Sequence, residues 1–502
     1  MPEAALSPER SLQAPAASHG TRIAGSLLWL AGLVMALRLL TMALLPMSDT
    51  TEPRYAETAR LMAESGDWIT PWFEPGVPFW GKPPLSFWAQ AGAIDLFGLH
   101  DFTVRLPSWL AMLGILWLSW QLARRQGGER LGQLTVLILA SMALPFVSAG
   151  AVLTDPFLTL GTTLSLVALA LSMEPGAPAG WRWAFFAGLA IGLLAKGPLA
   201  VVLVGLPVLA WGLWQRHWRD LWRALPWWRG SLLTALIVVP WYVAAELKTP
   251  GFLDYFLVGE HLRRFIDPGW AGDLYGSAHD EPRGTIWLFL LWASLPWGPV
   301  GAVLLGRSLL TPSRRAALRR SLGDSALRLL IPAAFAPALF FSLSGNILWT
   351  YVLPGLPFLA ILVARGLLPA LAHPPKPWTL PGAAMAVPLT VTLIGLHFVA
   401  HPEQLRSAAP LVDALEALPD GDAASLYWLG DLPFSARYYS RGGARSIASD
   451  ELAALTDGDH AIFLALRERD LEGLQTRYGP RLEQHYRDAR HVLIRLAPTA
   501  NN

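Results

Sequence analysis

Ionisable side chains are concentrated directly after the first long apolar run of the chain. Residues 48–57 read Ser-Asp-Thr-Thr-Glu-Pro-Arg-Tyr-Ala-Glu and include the carboxylates Asp49 and Glu52. Charged groups are costly at the edge of a bilayer, so a cluster there indicates a functional site. Such a carboxylate can act as a general base, hold a metal ion or stabilise a developing positive charge. The alternative role is capping of the helix that follows, for which Ser48, Asp49 or Thr51 would be an ordinary choice.

Five cations occupy loops that the span pattern assigns to the same face as this cluster. They are Arg54, Lys82, Lys196, Arg263 and Arg264. Lysine and arginine are depleted on the outer side of membrane proteins, and an anionic ligand would account for their presence there. Phosphate is the natural candidate, because both side chains bind it through charge-assisted hydrogen bonds. Ion pairing with nearby acids, or snorkelling of Lys196, is the alternative.

Three other positions carry candidate chemistry. Glu260 and His261 are adjacent in an outer loop, and a neutral imidazole beside a carboxylate can ligate a divalent ion. Asp155 precedes Pro156 at the start of a span, where it can act at the outer face or cap the helix. Tyr351 opens another span, where it can serve the site or belong to the interfacial aromatic belt.

The composition predicts a membrane protein. Of 502 residues, 53% are hydrophobic and only 15% are charged, and the mean hydropathy is +0.38. This balance excludes an ordinary soluble enzyme. The chain has no cysteine, which excludes disulfides and thiolate metal sites. We expect contacts with membrane lipids and none with nucleic acid.

Long apolar runs predict about eleven transmembrane helices, since roughly 20 apolar residues cross a bilayer. The shorter apolar segment 85–99 predicts an interfacial helix on the outer side. The predicted spans lie near residues 23–46, 105–123, 131–149, 156–173, 182–196, 198–215, 230–247, 284–306, 329–345, 350–370 and 380–400.

Three arginine-rich loops orient these spans. They lie at 124–130, 216–229 and 307–328, and the positive-inside rule places all three in the cytoplasm. The N-terminus is then cytoplasmic and the C-terminus lies outside. With this parity, five polar segments meet on the outer face and predict a single site. The segments are 47–104, Thr154–Pro156, Lys196–Pro198, 248–283 and Asn346–Thr350.

The chain divides into three predicted regions. Residues 1–22 are predicted to be a disordered cytoplasmic N-terminus, and residues 23–400 a transmembrane domain whose large first outer loop spans 47–104. Residues 401–502 are charged, lack a span and predict a small soluble α/β domain on the outer side. It has no glycine motif for nucleotide binding, so no nucleotide cofactor is expected. Its predicted strands are 425–429, 460–466 and 491–496, with helical periodicity over parts of 403–418 and 464–478.

A set of short polar motifs follows a definite order along residues 25–370. Its members are Glu52–Glu57, Gly66–Ile69, Lys82-Pro83, Leu99–Arg105, Thr154–Pro156, Lys196-Gly197, Glu260–Phe265, Ser294–Trp297 and Thr350–Pro354. In this order they resemble the bacterial 4-amino-4-deoxy-L-arabinose lipid A transferases, within the protein O-mannosyltransferase-like GT-C superfamily. The resemblance implies an all-α polytopic fold with a small C-terminal α/β periplasmic domain. It also implies a glycosyltransferase of the bacterial inner membrane, which moves a sugar from a polyprenyl-phosphate donor to lipid A, another glycolipid or a protein.

The same resemblance implies roles for individual residues. Asp49 or Glu52 corresponds to the catalytic acid of the first loop, and Asp155 corresponds to a second acid of the outer face. Glu260 and His261 correspond to an outer-loop pair at which a divalent metal can bind. The residues implied to contact the donor phosphate are Arg54, Tyr55, Lys82, Lys196, Arg263 or Arg264, and Tyr351.

The chain departs from the family pattern at three places, and these departures leave the sugar and the acceptor open. Thr51 stands where the family has aspartate, Trp80-Gly81 replaces Phe-Glu before a lysine, and Ile347 replaces a basic residue. A lipid or sugar transporter or flippase is the alternative function, since it also combines spans with interfacial cations. It predicts inverted repeats and charges deep in the spans, whereas the ionisable groups here crowd one face.

Overall fold

The computed structural model describes residues 18–216, 218–276, 279–372, 378–422, 425–456 and 461–497. Residues 1–17 of the segment predicted to be disordered, and His460 of a predicted strand, lie outside this range. The described residues form a helical region that ends at Ala400 and a C-terminal region built around a five-stranded sheet.

A helix occupies each of the eleven segments predicted to span the membrane. Among the described residues, six helices are long and apolar enough to cross a bilayer, or up to eight if two sharply bent pairs each form one span. The chain is therefore a mostly helical, multi-pass membrane protein, and the number eleven stays a prediction. The helices are α1 Ser18–Leu44, α2 Thr51–Ser65, α3 Leu85–Phe97, α4 Asp101–Ser141, α5 Ala143–Ser148, α6 Asp155–Ser172, α7 Gly180–Lys196, α8 Leu199–Gln215, α9 Trp218–Ala224, α10 Trp227–Lys248, α11 Arg264–Ile266, α12 Thr285–Ala293, α13 Trp297–Leu310, α14 Pro312–Ser321, α15 Ser325–Phe341, α16 Leu356–Leu367 and α17 Thr379–Ala400.

Helix α4 reverses direction at Gly127 and Gly128, whose backbone angles are not helical. A Cβ on Gly132 would lie 2.6 Å from the ring of Trp120. Residues about 12 positions apart in a straight helix are separated by roughly 18 Å, so the chain must fold back on itself. Gly128 has φ +81°, a left-handed angle that residues with a side chain rarely adopt. The first arm covers the predicted span 105–123, whereas the predicted span 131–149 is divided between the second arm, which ends at Ser141, and α5.

The predicted span 284–306 is not one straight helix. Helices α12 and α13 meet at an angle of 105°. Pro296 lies at the break and has no backbone N–H to continue the helical ladder. The hydroxyl of Ser294 donates a hydrogen bond to the carbonyl of Leu290 at 2.6 Å and closes the preceding turn.

The first outer loop has a small core of its own. It contains α2, an antiparallel hairpin of Trp72–Glu74 (β1) and Val77–Pro78 (β2), and α3 in the segment predicted to be interfacial. The rings of Tyr55, Phe79 and Phe87 pack edge to face, with centroids 5.8–6.0 Å apart. Such aromatic contacts make the loop an ordered platform on the ends of the spans.

The C-terminal region forms a five-stranded sheet with the order β4-β3-β5-β7-β6, in which the strands are β3 Leu426–Leu429, β4 Arg445–Ile447, β5 Ile462–Arg467, β6 Leu482–Arg487 and β7 His491–Leu496. Strands β4, β3 and β5 are parallel, whereas β7 pairs antiparallel with β5 and β6. The inner strands β3, β5 and β7 lie where strands were predicted. The edge strands β4 and β6 were missed, because their mostly polar, exposed sequences lack an apolar face. The α-helices of this region are α18 Ala409–Glu416, α19 Phe434–Tyr439, α20 Glu451–Thr456 and α21 Leu471–Tyr478.

Candidate active site

The close packing of α6 against α7 brings together Asp155, at the start of one helix, and Lys196, at the end of the other. A Cβ on Gly161 would lie 2.6 Å from the carbonyl oxygen of Gly188, so only glycine allows this approach. Small residues at helix crossings are typical of membrane proteins. Lys196 Nζ lies 2.6 Å from the Asp155 carboxylate, and both side chains are less than one-tenth exposed.

A second charged group forms where the first outer loop meets a π-helix at Asp254–Arg263. The carboxylate of Glu260 accepts hydrogen bonds from Lys82 at 3.1 Å and from Arg264 at 3.0 Å. Arg264 also pairs with Asp273 at 3.1 Å. Burial by itself would raise the pKa of Glu260, but the two neighbouring cations hold it below its ordinary value. Glu260 is therefore ionised and holds both cations in place.

His261 joins the two charged groups. Its ring nitrogens lie 3.0 Å from the carbonyl oxygen of Lys196 and 2.7 Å from that of Phe256. Gly197 makes this contact possible: it has φ +67°, and a Cβ there would lie 2.6 Å from the ring of Phe256. The outer-loop helix is thereby fixed on the end of α7.

Tyr351 completes the cluster from a third direction. The ammonium group of Lys196 lies 4.9 Å from the centroid of the Tyr351 ring, a cation–π contact. The turn before this tyrosine is held by Asn346, whose amide donates to the carbonyls of Arg264 at 2.6 Å and Asp267 at 2.8 Å. Sequence reasoning placed Asn346 in an outer turn but did not single it out as a site residue.

Three cations, three carboxylates, one phenol and one imidazole thus meet at one end of the apolar spans. Ammonium and guanidinium groups together can bind a phosphate, and a carboxylate beside them can accept a proton. Asp273 was not predicted as a site residue. The sequence shows it only as an acid in the predicted outer loop that also contains Arg263 and Arg264. The group, called here the outer charged cluster, consists of Lys82, Lys196, Arg264, Asp155, Glu260, Asp273, Tyr351 and His261.

Three predicted phosphate-binding residues lie elsewhere. Arg54 donates to the carbonyl of Tyr275 and its guanidinium covers the ring of Phe434 at 5.7 Å, beside the cluster. Tyr55 is buried in the aromatic core of the first loop. Arg263 is exposed, whereas its neighbour Arg264 belongs to the cluster. The phosphate-binding roles of these three residues stay predictions.

Glu52 belongs to a buried ion pair with Arg105. The two side chains meet through two hydrogen bonds of 2.6 and 2.9 Å, and Glu52 also accepts from the backbone N–H of Val152 at 3.1 Å. Arg105 donates further to the carbonyls of Met42, at 2.8 Å, and Leu45. This pair ties the end of α1, the start of α2 and α4, and the segment before α6 to one another.

Asp49 contacts the C-terminal region. Its carboxylate accepts hydrogen bonds from the backbone N–H of Ser435, at 2.9 Å, and from the Ser435 hydroxyl, at the start of α19. Its own N–H donates to the carbonyl of Arg406 at 2.8 Å. Burial raises the pKa of Asp49, although the bonds from Ser435 oppose the shift. These contacts join the two regions; the predicted catalytic role of Asp49 stays a prediction.

Replacing Tyr439 by phenylalanine is expected to loosen the C-terminal region. The Tyr439 hydroxyl accepts from the N–H of Met47 at 2.6 Å and donates to Asp101 at 2.7 Å. Its loss leaves both groups unpaired and costs about 1–3 kcal/mol. Tyr438→Phe is the matched control, since in the described structure that buried hydroxyl has no hydrogen-bond partner. Thermal unfolding and limited proteolysis should separate the two variants; equal behaviour would contradict this role of Tyr439.

The residues predicted for a metal do not fit a metal centre as they are arranged. Within the described ranges, no group of three or more His, Asp or Glu side chains is placed to hold an ion. Glu260 is bonded to two cations, and both nitrogens of His261 face backbone carbonyls. A divalent ion at this pair stays a prediction, and the chemistry proposed here does not depend on it.

Lowering the pH is expected to destabilise the unaltered protein more than it destabilises a His261→Gln variant. Burial lowers the pKa of His261 below its ordinary value of 6.5, despite the two nearby carbonyl oxygens. The folded state therefore binds fewer protons than the unfolded chain. The free energy of unfolding then falls as the pH is lowered through 6.5 towards the folded pKa, by at most about 1.4 kcal/mol per pH unit. Melting temperatures of both proteins between about pH 7.5 and 5.5 test this; parallel curves would contradict it.

Comparison with known proteins agrees with the resemblance inferred from the motifs. Residues 31–256 match the family described as dolichyl-phosphate-mannose-protein mannosyltransferase. The undecaprenyl phosphate-alpha-4-amino-4-deoxy-L-arabinose arabinosyl transferase of Shewanella sediminis is 32% identical over 344 residues, which is 68% of this chain and 59% of that protein. Transferase 2 of the same name from Pseudomonas fluorescens is 34% identical over 69% of this chain and 61% of its own length. The matched part thus spans about six-tenths of these relatives.

The fold also matches solved structures. The crystal structure of ArnT from Cupriavidus metallidurans bound to undecaprenyl phosphate superposes with a TM-score of 0.75 at 21% identity, covering 94% of this chain and 98% of ArnT. The archaeal oligosaccharyltransferase AglB from Archaeoglobus fulgidus superposes with a TM-score of 0.50 over 90% of this chain and 70% of its own. The chain therefore has the fold of ArnT, is similar in sequence to the aminoarabinose transferases and matches the mannosyltransferase family over residues 31–256, as the ordered motifs predicted.

Proposed function

We propose that the chain is a glycosyltransferase that moves a sugar from a polyprenyl-phosphate donor to a hydroxyl acceptor at the outer face of the bacterial inner membrane. The observation that carries the proposal is the convergence of Lys82, Lys196 and Arg264 at the end of apolar helices. Such a place can hold a phosphate on the cations and a polyprenyl tail between the spans. The undecaprenyl phosphate bound to ArnT from Cupriavidus metallidurans supports this choice of donor.

The outer charged cluster supplies what sugar transfer needs. The bond between the anomeric carbon and the phosphate oxygen breaks, and a bond between that carbon and the acceptor oxygen forms. Negative charge then develops on the leaving polyprenyl phosphate, where Lys82, Lys196 and Arg264 stabilise it. Asp155 accepts the proton of the acceptor hydroxyl once the donor phosphate draws Lys196 away from it.

The proposed orientation places the N-terminus in the cytoplasm and the C-terminus in the periplasm. The three arginine-rich loops at 124–130, 216–229 and 307–328 support it. The contact of Asp49 with Ser435 supports it as well, because it joins the C-terminal sheet to the first outer loop. Donor phosphate, acceptor and C-terminal region would then all meet outside the cytoplasm.

The names of the relatives favour 4-amino-4-deoxy-L-arabinose as the sugar and undecaprenyl phosphate as its carrier. Lipid A is the acceptor implied by the family, and other envelope glycolipids and proteins are the further acceptors to be tested. Thr51, Gly81 and Ile347 differ from the family pattern within or beside the outer segments. Transfer of a different sugar would therefore mean a change of substrate specificity, with the same type of reaction.

Mass spectrometry of envelope lipids, polysaccharides and proteins tests the proposal. Three strains are compared, carrying the unaltered chain, a Lys196→Met variant or no chain. We expect one glycan mass to be lost in both altered strains. The value of that mass would identify the sugar and the molecule that accepts it. An Arg283→Gln strain is the control, because this exposed outer-loop arginine lies outside the cluster. An identical glycan profile in all strains, with the protein present in the membrane, would overturn the proposal.

A further inference from the structure

A cavity of about 610 Å³ lies between α8, α9 and α10. Its walls are mainly aromatic and aliphatic, with Trp218, Trp222 and Trp227 on one side and Gly205 and Leu209 of α8 on another. Trp222 and Trp227 stack with their ring centroids 5.6 Å apart, yet Trp222 remains 63% exposed. This shape and lining fit a hydrocarbon chain.

Two arginines of α9, Arg219 and Arg223, line the same cavity. They belong to a segment, residues 216–229, that contains four arginines and one aspartate. Helix α9 is held against the spans by Leu221 and Ala224, which are buried. The backbone that carries the tryptophans and arginines is therefore anchored to the spans. The cavity combines an apolar interior with two exposed arginine side chains on its wall.

The cavity is separate from the outer charged cluster. Helix α8 begins three residues after Lys196, and its other end adjoins α9. Since α8 has 17 residues, its end beside α9 is roughly 25 Å from its start, close to the thickness of a bilayer core. The α8 residues that line the cavity, Gly205, Val208 and Leu209, lie roughly 9–15 Å along the helix, so the cavity extends from the middle of α8 to the end that carries the arginines of α9.

We propose that this cavity is a binding site for an anionic glycerophospholipid, with its phosphate on Arg219 and Arg223 and one acyl chain among the tryptophans. Charge decides between the lipids available at this face: a zwitterionic headgroup brings a cation towards the arginines, whereas phosphatidylglycerol brings a net negative charge. Basic pockets at the ends of transmembrane helices bind anionic headgroups in this way. Tryptophan at the interface anchors the glycerol region of the same lipid.

Native mass spectrometry of the delipidated full chain, titrated with dioleoyl phosphatidylglycerol or dioleoyl phosphatidylcholine, tests the proposal. The unaltered chain is expected to bind the first lipid about tenfold more tightly than the second. The double variant Arg219→Gln/Arg223→Gln should lose this preference. The matched control, Arg319→Gln/Arg320→Gln, makes the same charge change on exposed α14 and should keep it.

A second pair of variants tests the apolar part. Gly205→Leu should weaken phosphatidylglycerol binding by filling the cavity, since no atom lies within 4 Å of a Cβ built there. Gly382→Leu is its control, because that glycine of α17 is equally open and lies away from the cavity. Equal affinity for the two lipids in the unaltered chain would overturn the proposal. Loss of the preference in the Arg319/Arg320 control would overturn it too, since it would show general charge attraction without a built site.

Discussion

Replacing Lys196 by methionine is expected to lower the rate of sugar transfer by about 100-fold or more. Removing a single preorganised donor from a site of developing negative charge typically has an effect of this size. Lys196 is the most buried cation of the outer charged cluster, 9% exposed, and it contacts both Asp155 and Tyr351. Initial rates with a purified chain and polyprenyl-phosphate sugar measure the effect.

Misfolding is the competing explanation, because the single substitution leaves Asp155 buried without a partner. Breaking a buried ion pair in this way costs about 3–5 kcal/mol. The double variant Asp155→Asn/Lys196→Met removes both charges and should recover most of the stability. We expect it to remain inactive, since neither the cation nor the base is present.

The combination of results decides the role of Lys196. A stable but inactive double variant places the residue in the chemistry of transfer. A double variant that regains both stability and rate would reduce Lys196 to a partner of Asp155 and overturn the proposed role. Arg283→Gln should leave the rate within about threefold of the unaltered chain, because an exposed charge outside the site has little effect on a desolvated reaction centre.

The cations of the cluster could be predicted because each breaks a local rule. Lys82 and Lys196 stand alone beside apolar stretches on the face where lysine is disfavoured, and span parity places them together. The pairing of Lys196 with Asp155 could not be predicted. It depends on the close approach of α6 and α7 at Gly161 and Gly188, a matter of three-dimensional packing.

Asp49 shows what a local pattern leaves out. Its position in an acidic, interfacial loop predicted chemistry, but its carboxylate lies against Ser435, which is 386 residues further along the chain. No spacing pattern in the sequence predicts a contact between residues this far apart. The missed residues Asn346 and Asp273 have the same origin, since each is an ordinary polar residue until the fold brings its partners to it.

The hydropathy pattern predicted the positions of the helices better than it predicted the breaks within them. Every predicted span contains a helix, because about 20 apolar residues must satisfy their backbone groups internally in a membrane. The break between α12 and α13 was not predicted, since a proline alone is common in membrane helices. Edge strands β4 and β6 are set by pairing with inner strands, and polar sequence alone does not reveal that pairing.

Replacing Arg105 by methionine is expected to destabilise the protein by about 3–5 kcal/mol. The Arg105 side chain is 4% exposed and pairs with Glu52, which would be left as an unpaired carboxylate. Two carbonyl groups at the end of α1, those of Met42 and Leu45, would lose their donor as well. Reversible unfolding in mixed micelles with increasing sodium dodecyl sulfate measures the change in free energy.

Two further variants separate this pair from surface charge effects. In Glu52→Gln/Arg105→Met neither member of the pair is left as an unpaired charge, and an amide oxygen can still accept from Val152, so most of the lost stability should return. Arg125→Met removes an arginine paired with Glu174, but those side chains are 50% and 36% exposed, so the cost should stay below about 1 kcal/mol. If Arg105→Met were as mild as Arg125→Met, the Glu52–Arg105 pair would not be what fastens the first outer loop to the spans. The position of α2 would then have to depend mainly on the aromatic core around Tyr55.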